Sequence, residues 1–160
     1  MPQSNSNKVE VQMNNADFFP HLVALLNEGH TVSLGLRGFS MRPFLEDKRD
    51  SALLAKATEV HIGDAVLAEI RPGVWVLHRL IDITDGTATL MGDGNLSTEK
   101  CREEDIKAKA LGFYRKGRKS LDATDGRKWR CYSWIWTHLR PVRRYLLGIY
   151  RRWVKLFGPI

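Results

Sequence analysis

The feature that most constrains this chain is a series of short runs rich in β-branched and apolar residues, separated from one another by turn residues. Strands of this length and spacing are typical of small antiparallel β domains. The pattern therefore predicts a compact, mainly β domain over about residues 30–117. The runs cover residues 31–36, 52–55, 65–70, 74–83, 87–91 and 106–114, and the turn signals include Gly63-Asp64, Pro72-Gly73 and Asp85-Gly86.

One helix is predicted before the sheet, over residues 17–27. Its apolar residues recur at a helical period, Asp17 can cap its first turn, and Gly29 can end it. Within the sheet, Asp85-Gly86 lies between two alternating runs and predicts a tight β-hairpin.

A basic amphipathic helix is predicted in a tail over residues 129–160, after a polar linker over residues 118–128. Pro141 suits the first turn of such a helix and would kink a helix that began earlier. The predicted organisation is thus a lead-in over residues 1–16, a folded domain over residues 17–117, the linker and the tail. The apolar stripe of the tail consists of Val142, Tyr145, Leu146, Ile149, Trp153 and Leu156.

The positive charge of the chain is concentrated in that tail. The net charge is +7, yet residues 126–160 contain nine basic residues and no acidic one. Such an excess predicts an anionic partner, either a lipid surface or a nucleic acid. Because four tryptophans accompany the basic residues, an anionic membrane surface is favoured over nucleic acid. The alternative is that the apolar stripe packs back on the β domain. The tryptophans are Trp129, Trp134, Trp136 and Trp153.

Nothing in the sequence predicts export or a membrane span. Residues 1–16 are polar, lack the apolar segment of a secretory signal, and are expected to be a disordered lead-in. No run reaches the roughly 18 apolar residues of a spanning helix. Cys101 and Cys131 have no metal-binding spacing and are expected to be free thiols. The expected location is the cytoplasm, with peripheral association with a membrane through the tail.

Two segments contain side chains suited to nucleophilic catalysis. Ser40 lies in a glycine-flanked turn after a predicted strand, where a hydroxyl can face a cleft beside backbone N–H groups. His78 lies in an alternating run and shares a sheet face with Val74 and Val76. Each also has a plain structural explanation, since serine often forms turns and histidine is often half-buried in a strand.

A carboxylate that could orient the imidazole follows one hairpin after His78. It is either Asp93, in the turn Gly92-Asp93-Gly94-Asn95, or Glu99 a few residues later. Asp93 is favoured because it belongs to a rigid glycine-rich turn, whereas Glu99 lies in a polar, looser segment. No metal or cofactor site is predicted, because no His/Cys/Asp spacing recurs and no phosphate-binding glycine loop is present.

These segments, in this order, resemble the type I signal peptidases, and most closely the branch that uses histidine. The resemblance spans about residues 31–117. The Gly-x-Ser-Met form of the serine motif, with Gly38 where many signal peptidases have a hydroxyl residue, is also similar to the self-cleaving repressor proteases, which share the fold. The matching pieces are Gly-x-Ser-Met-x-Pro at residues 38–43, Gly-Asp-Ala-Val at 63–66, the His-Arg-x-Ile segment within 74–81, and Gly-Asp-Gly-Asn at 92–95.

The resemblance implies a serine endopeptidase that works through an acyl-enzyme and cuts a leader or signal segment at small residues. Ser40 would be the nucleophile, and His78 would be the general base. Asp93 matches the family's Gly-Asp carboxylate, while Glu99 falls where the histidine branch has a second aspartate. The backbone N–H groups of Ser40 and Met41 would stabilise the oxyanion.

Two alternatives stay open at this point. One is a catalytically inactive relative that uses the basic tail as a membrane- or nucleic-acid-binding module. The other is self-cleavage at Ala108-Lys109-Ala110, although this short match lies in a predicted strand. The joint presence of Ser40, His78 and a carboxylate favours the enzyme.

Overall fold

The computed structural model describes residues 15–117 and 120–158. Nearly all of the expected lead-in over residues 1–16 therefore lies outside the described residues. The elements are α1 (Asn15–Asn27), β1 (Val32–Gly35), β2 (Ser51–Lys56), β3 (Ala65–Arg71), β4 (Val74–Thr84), β5 (Thr87–Met91), β6 (Glu99–Arg102), a 3-10 turn (Glu103–Asp105), β7 (Ile106–Tyr114), β8 (Asp122–Ala123), α2 (Arg127–His138) and α3 (Arg143–Phe157).

The described strands form one antiparallel sheet, which confirms the predicted mainly β fold. Seven strands lie in the order β1-β2-β7-β3-β4-β5-β6, and β8 pairs with β7. The six strands that the alternating runs predicted are all present with closely similar bounds. Strand β6 was not predicted, because Glu99–Arg102 is polar and only one of its four residues is buried.

Two turns have the geometry that their residues predict. Asp85 and Gly86 both adopt positive φ, at 48° and 71°, and connect β4 to β5 as a tight hairpin. Helix α1 ends before Gly29, whose φ is 88°, and the N–H of His30 donates to the carbonyl oxygen of Leu25. The helix begins at Asn15, so Asp17 lies within its first turn and does not cap it.

The buried side chains fall into two clusters on the sheet. The first lies between α1, the loop after β1 and the strands β2 and β7, and includes Leu22, Leu54 and Phe113. The second lies around β3, β4 and β5, and includes Val66, Leu80 and Leu90. These clusters fix the positions of the loop that contains Ser40 and the strand that contains His78.

The tail differs from the single amphipathic helix that the sequence predicted. It forms two helices, α2 and α3, separated by a turn at Pro141, because proline cannot continue a helix from its preceding turn. Trp129 of α2 is 2 % exposed and belongs to the first core cluster. Helix α2 is therefore part of the β domain, and the predicted linker contains β8.

No helix within the described ranges is both long enough and apolar enough to cross a membrane. Cys101 and Cys131 are free, as predicted, the first buried and the second exposed.

Candidate active site

Ser40 lies in the loop between β1 and β2, and polar contacts within that loop hold it in shape. Gly38 has a φ of 86°, a conformation that favours glycine, and its N–H donates to Oδ1 of Asp47 at 2.7 Å. The Arg42 guanidinium forms an ion pair with Glu46, with Nε 2.9 Å from Oε2. Contacts of Gly38 and Arg42, which lie two residues before and after Ser40, thus fix the conformation of the turn.

The backbone of Ser40 is in direct contact with the turn over residues 92–94. The N–H of Gly94 donates to the carbonyl oxygen of Ser40 at 2.7 Å. A Cβ atom at Gly92 would lie 2.5 Å from that same oxygen, and one at Gly94 would lie 2.7 Å from the carbonyl oxygen of Phe39. Glycine is required at both positions because any side chain would push the two segments apart.

The same turn connects Ser40 to the strand that contains His78. The turn leaves β5 at Met91, which pairs with Arg79 of β4, the residue next to His78. On its other side β4 pairs with β3, where Val66 is opposite His78. The sheet therefore brings the serine motif and the histidine motif, which are 38 residues apart in sequence, to one end of the β4–β5 pair.

The side chain of His78 is oriented by Glu99. Nδ1 of the imidazole lies 3.0 Å from Oε2 of the carboxylate. His78 is 4 % exposed, while the Glu99 side chain is 25 % exposed. Because a carboxylate accepts a hydrogen bond, Nδ1 carries the proton and Nε2 of the neutral ring is left as the acceptor. This is the tautomer that a general base for serine needs.

Burial lowers the pKa of His78 below its ordinary value, and the charge and hydrogen bond of Glu99 only partly offset this effect. The ring is therefore neutral at pH 7. Across residues 15–117 and 120–158, Nε2 of His78 and Oγ of Ser40 make no hydrogen bond to each other or to any other group. In hydrolases such contacts often tighten only when substrate binds.

Asp93 has a different role from the one that the sequence favoured. It is fully buried, and both of its carboxylate oxygens accept from Arg79, with Nε–Oδ1 2.8 Å and Nη2–Oδ2 2.7 Å. Its carboxylate makes no hydrogen bond to His78. The preference for Asp93 as the acid that orients the imidazole is therefore corrected to Glu99, because the neighbouring arginine saturates the Asp93 carboxylate.

Side chains of helix α2 form hydrogen bonds with both residues of the Asp93–Arg79 pair. Tyr132 donates its hydroxyl proton to Oδ2 of Asp93 at 3.1 Å, and Trp136 donates from Nε1 to the Asp93 carbonyl oxygen at 3.0 Å. Arg79 donates to Ser133 Oγ and, at 2.7 Å, to the carbonyl oxygen of Gly63. Although burial opposes the charged form, the Asp93 carboxylate keeps the pKa of Arg79 above its ordinary value.

Three residues of this network were therefore missed by the sequence analysis: Tyr132, Ser133 and Trp136. They were assigned to a tail separate from the β domain. The signal that could have found them is the helical spacing of Trp129, Tyr132 and Trp136, which lies on one face of α2 and marks it as a core-facing helix.

Backbone donors are available beside Ser40. Within the described ranges, the N–H groups of Ser40 and Met41 donate to no backbone or side-chain acceptor. Free N–H groups at the nucleophile are the usual source of an oxyanion hole. The Ser40 region therefore retains the donors that the resemblance implies.

The described part of the chain contains no group of three or more His, Cys, Asp or Glu residues arranged to hold a metal ion. A surface depression of about 930 Å³ is lined by Val23, Lys56, Asp85, Arg102 and Lys107 among others. Neither Ser40 nor His78 lines it.

No family model, curated protein or solved structure matches this chain.

Proposed function

We propose that this chain is a serine endopeptidase in which Ser40 attacks the scissile carbonyl and His78 is the general base. The observation that carries the proposal is the contact between His78 and Glu99. A buried neutral imidazole whose Nδ1 donates to a carboxylate at 3.0 Å has Nε2 free to take a proton. The backbone of Ser40 is held against the turn over residues 92–94, which follows the strand paired with the strand of His78.

The proposed reaction has two steps. Nε2 of His78 takes the Ser40 hydroxyl proton as Oγ forms a bond to the carbonyl carbon, and the imidazolium then donates that proton to the leaving amine. Water deacylates the enzyme by the reverse proton path. The N–H groups of Ser40 and Met41 stabilise the oxyanion in both steps, and Glu99 holds the ring and stabilises the imidazolium.

Exposed apolar residues beside the site are consistent with an extended peptide substrate. Phe39, which precedes the nucleophile, is 57 % exposed and is held by Arg42, whose Cζ lies 4.1 Å from the ring centroid. Leu96, which follows the turn over residues 92–94, is 56 % exposed. The proposed substrate, a leader or signal segment with small residues at the cut, follows from the resemblance of residues 38–43, 63–66, 74–81 and 92–95 to the signal peptidases. The proposed location is the cytoplasm.

Hydrolysis of a leader-type peptide tests this proposal. The wild-type chain should release both fragments, and Ser40→Ala should abolish turnover while the protein keeps its thermal unfolding midpoint. Ser33→Ala is the matched control, because Ser33 is an exposed serine on β1. Hydrolysis by Ser40→Ala at the wild-type rate would overturn the assignment of the nucleophile. No hydrolysis by the wild-type chain would favour the non-catalytic binding module.

A further inference from the structure

Helix α3 has two faces of different character. One packs on the molecule through Arg143 and Leu147, which are 1 % and 3 % exposed. The other is apolar and lies in solvent. This second surface, the α3 face, consists of Tyr145 (68 % exposed), Ile149 (67 %), Trp153 (48 %), Leu156 (75 %) and Phe157 (69 %).

The helix that contains the α3 face is rich in cations and has no acidic residue of its own. From residue 126 to the end, the chain has no acidic residue. With about 100° per residue, Tyr145, Ile149 and Leu156 fall within about 40° of one another around the helix. Arg152 lies beside this stripe, and the remaining exposed cations of the helix lie on one flank, between Arg152 and the packed face. They are Arg144, Arg151 and Lys155.

The structure shows that only part of the predicted membrane-binding tail is exposed. Trp129 and Trp136, two of the four tail tryptophans, are 2 % and 8 % exposed and belong to the interior. Trp134 on α2 is 63 % exposed. Most of the exposed apolar side chains of the tail thus lie on α3, and Trp134 and Ile135 lie on α2.

We propose that the α3 face binds an anionic lipid surface, with its apolar side chains among the lipid headgroups and its arginines against lipid phosphates. A helix with a wide apolar stripe, aromatic rings and flanking basic residues has the composition of an interfacial helix. The surrounding cations disfavour a second copy of this chain, since two such faces would repel. The apolar stripe disfavours nucleic acid, which would meet mainly the cations.

Co-sedimentation of the full chain with vesicles tests the proposal and does not depend on peptidase activity. The protein should bind vesicles that contain phosphatidylglycerol and not vesicles of phosphatidylcholine alone. Each basic residue at an anionic surface contributes about 5-fold in partitioning. The triple variant R144Q/R151Q/R152Q should therefore bind about 100-fold more weakly. The variant R37Q/R71Q/K100Q, which removes three exposed positive charges elsewhere, should retain wild-type partitioning to within about 5-fold.

Removing apolar side chains tests the orientation of the helix. I149S/L156S should lower partitioning by at least about tenfold, whereas Leu25→Ser, at a 44 % exposed site on α1, should leave it unchanged. Three results would overturn the proposal. They are no binding at low salt, binding of duplex DNA that depends on the arginines alone, and a self-association in sedimentation velocity that I149S/L156S abolishes.

Discussion

Nδ1 of His78 lies 3.0 Å from Oε2 of Glu99, whereas both carboxylate oxygens of Asp93 accept from Arg79. The sequence left two acids as candidates for orienting the His78 imidazole, and in the structure each has a different partner. Glu99 forms the hydrogen bond that orients the imidazole. Asp93 forms an ion pair with the buried Arg79, and its turn contacts the backbone of Ser40.

Matched isosteric substitutions distinguish the two acids. Glu99→Gln should lower kcat by about 10³- to 10⁴-fold, because the amide no longer selects the imidazole tautomer. The partly exposed carboxylate contributes about 1 kcal/mol or less to the free energy of unfolding. Asp93→Asn leaves Arg79 buried without its counter-charge and should cost about 3–5 kcal/mol in unfolding free energy. Urea unfolding and single-turnover rates measure both. Normal turnover in Glu99→Gln would contradict the assignment.

The pH dependence follows from the burial of His78. Because its pKa is lowered and the neutral ring is the active form, kcat/KM should rise with pH with a midpoint below about 6.5. Glu99 favours the imidazolium, so Glu99→Gln should move the midpoint lower still. The stability that the neutral ring contributes is present above about pH 6.5 and is lost as the pH falls below it. A midpoint above 6.5 would contradict this environment for the ring.

The contact between Ser40 and the turn over residues 92–94 predicts a sensitive glycine. Gly92→Ala places a Cβ 2.5 Å from the Ser40 carbonyl oxygen, so Ser40 must move. A displacement of about 1 Å costs on the order of 100-fold in rate. Gly35→Ala is the control, because a Cβ at Gly35 meets nothing within 4 Å. Peptide turnover by the two variants checks the contact, and equal rates would show that the turn does not position Ser40.

Two tryptophans on α2 test whether that helix belongs to the core. Trp129→Ala removes a side chain that is 2 % exposed and should cost about 3–5 kcal/mol in unfolding free energy. Trp134→Ala, at a 63 % exposed position on the same helix, should change that free energy by about 0.5 kcal/mol or less. Equal effects in urea unfolding would place α2 outside the cooperative domain.

Local patterns in the sequence were sufficient to predict the strands, the Asp85-Gly86 hairpin and the first helix, because alternation and turn residues act over a few positions. The role of Asp93 depends on Arg79, which is 14 residues away, and on α2, about 40 residues away. No local pattern reports such pairings. Strand β6, which contains Glu99, also gave no signal of alternating apolar residues, because three of its four residues are charged.

The most direct test of the central claim is covalent labelling with a fluorophosphonate, followed by peptide mapping of the adduct. The account predicts a single adduct on Ser40, with a labelling rate that His78→Ala reduces by several orders of magnitude and Glu99→Gln by about 10³-fold or more. Ser40→Ala should not react. An adduct on another residue, or labelling of Ser40 at the same rate without His78, would contradict the account.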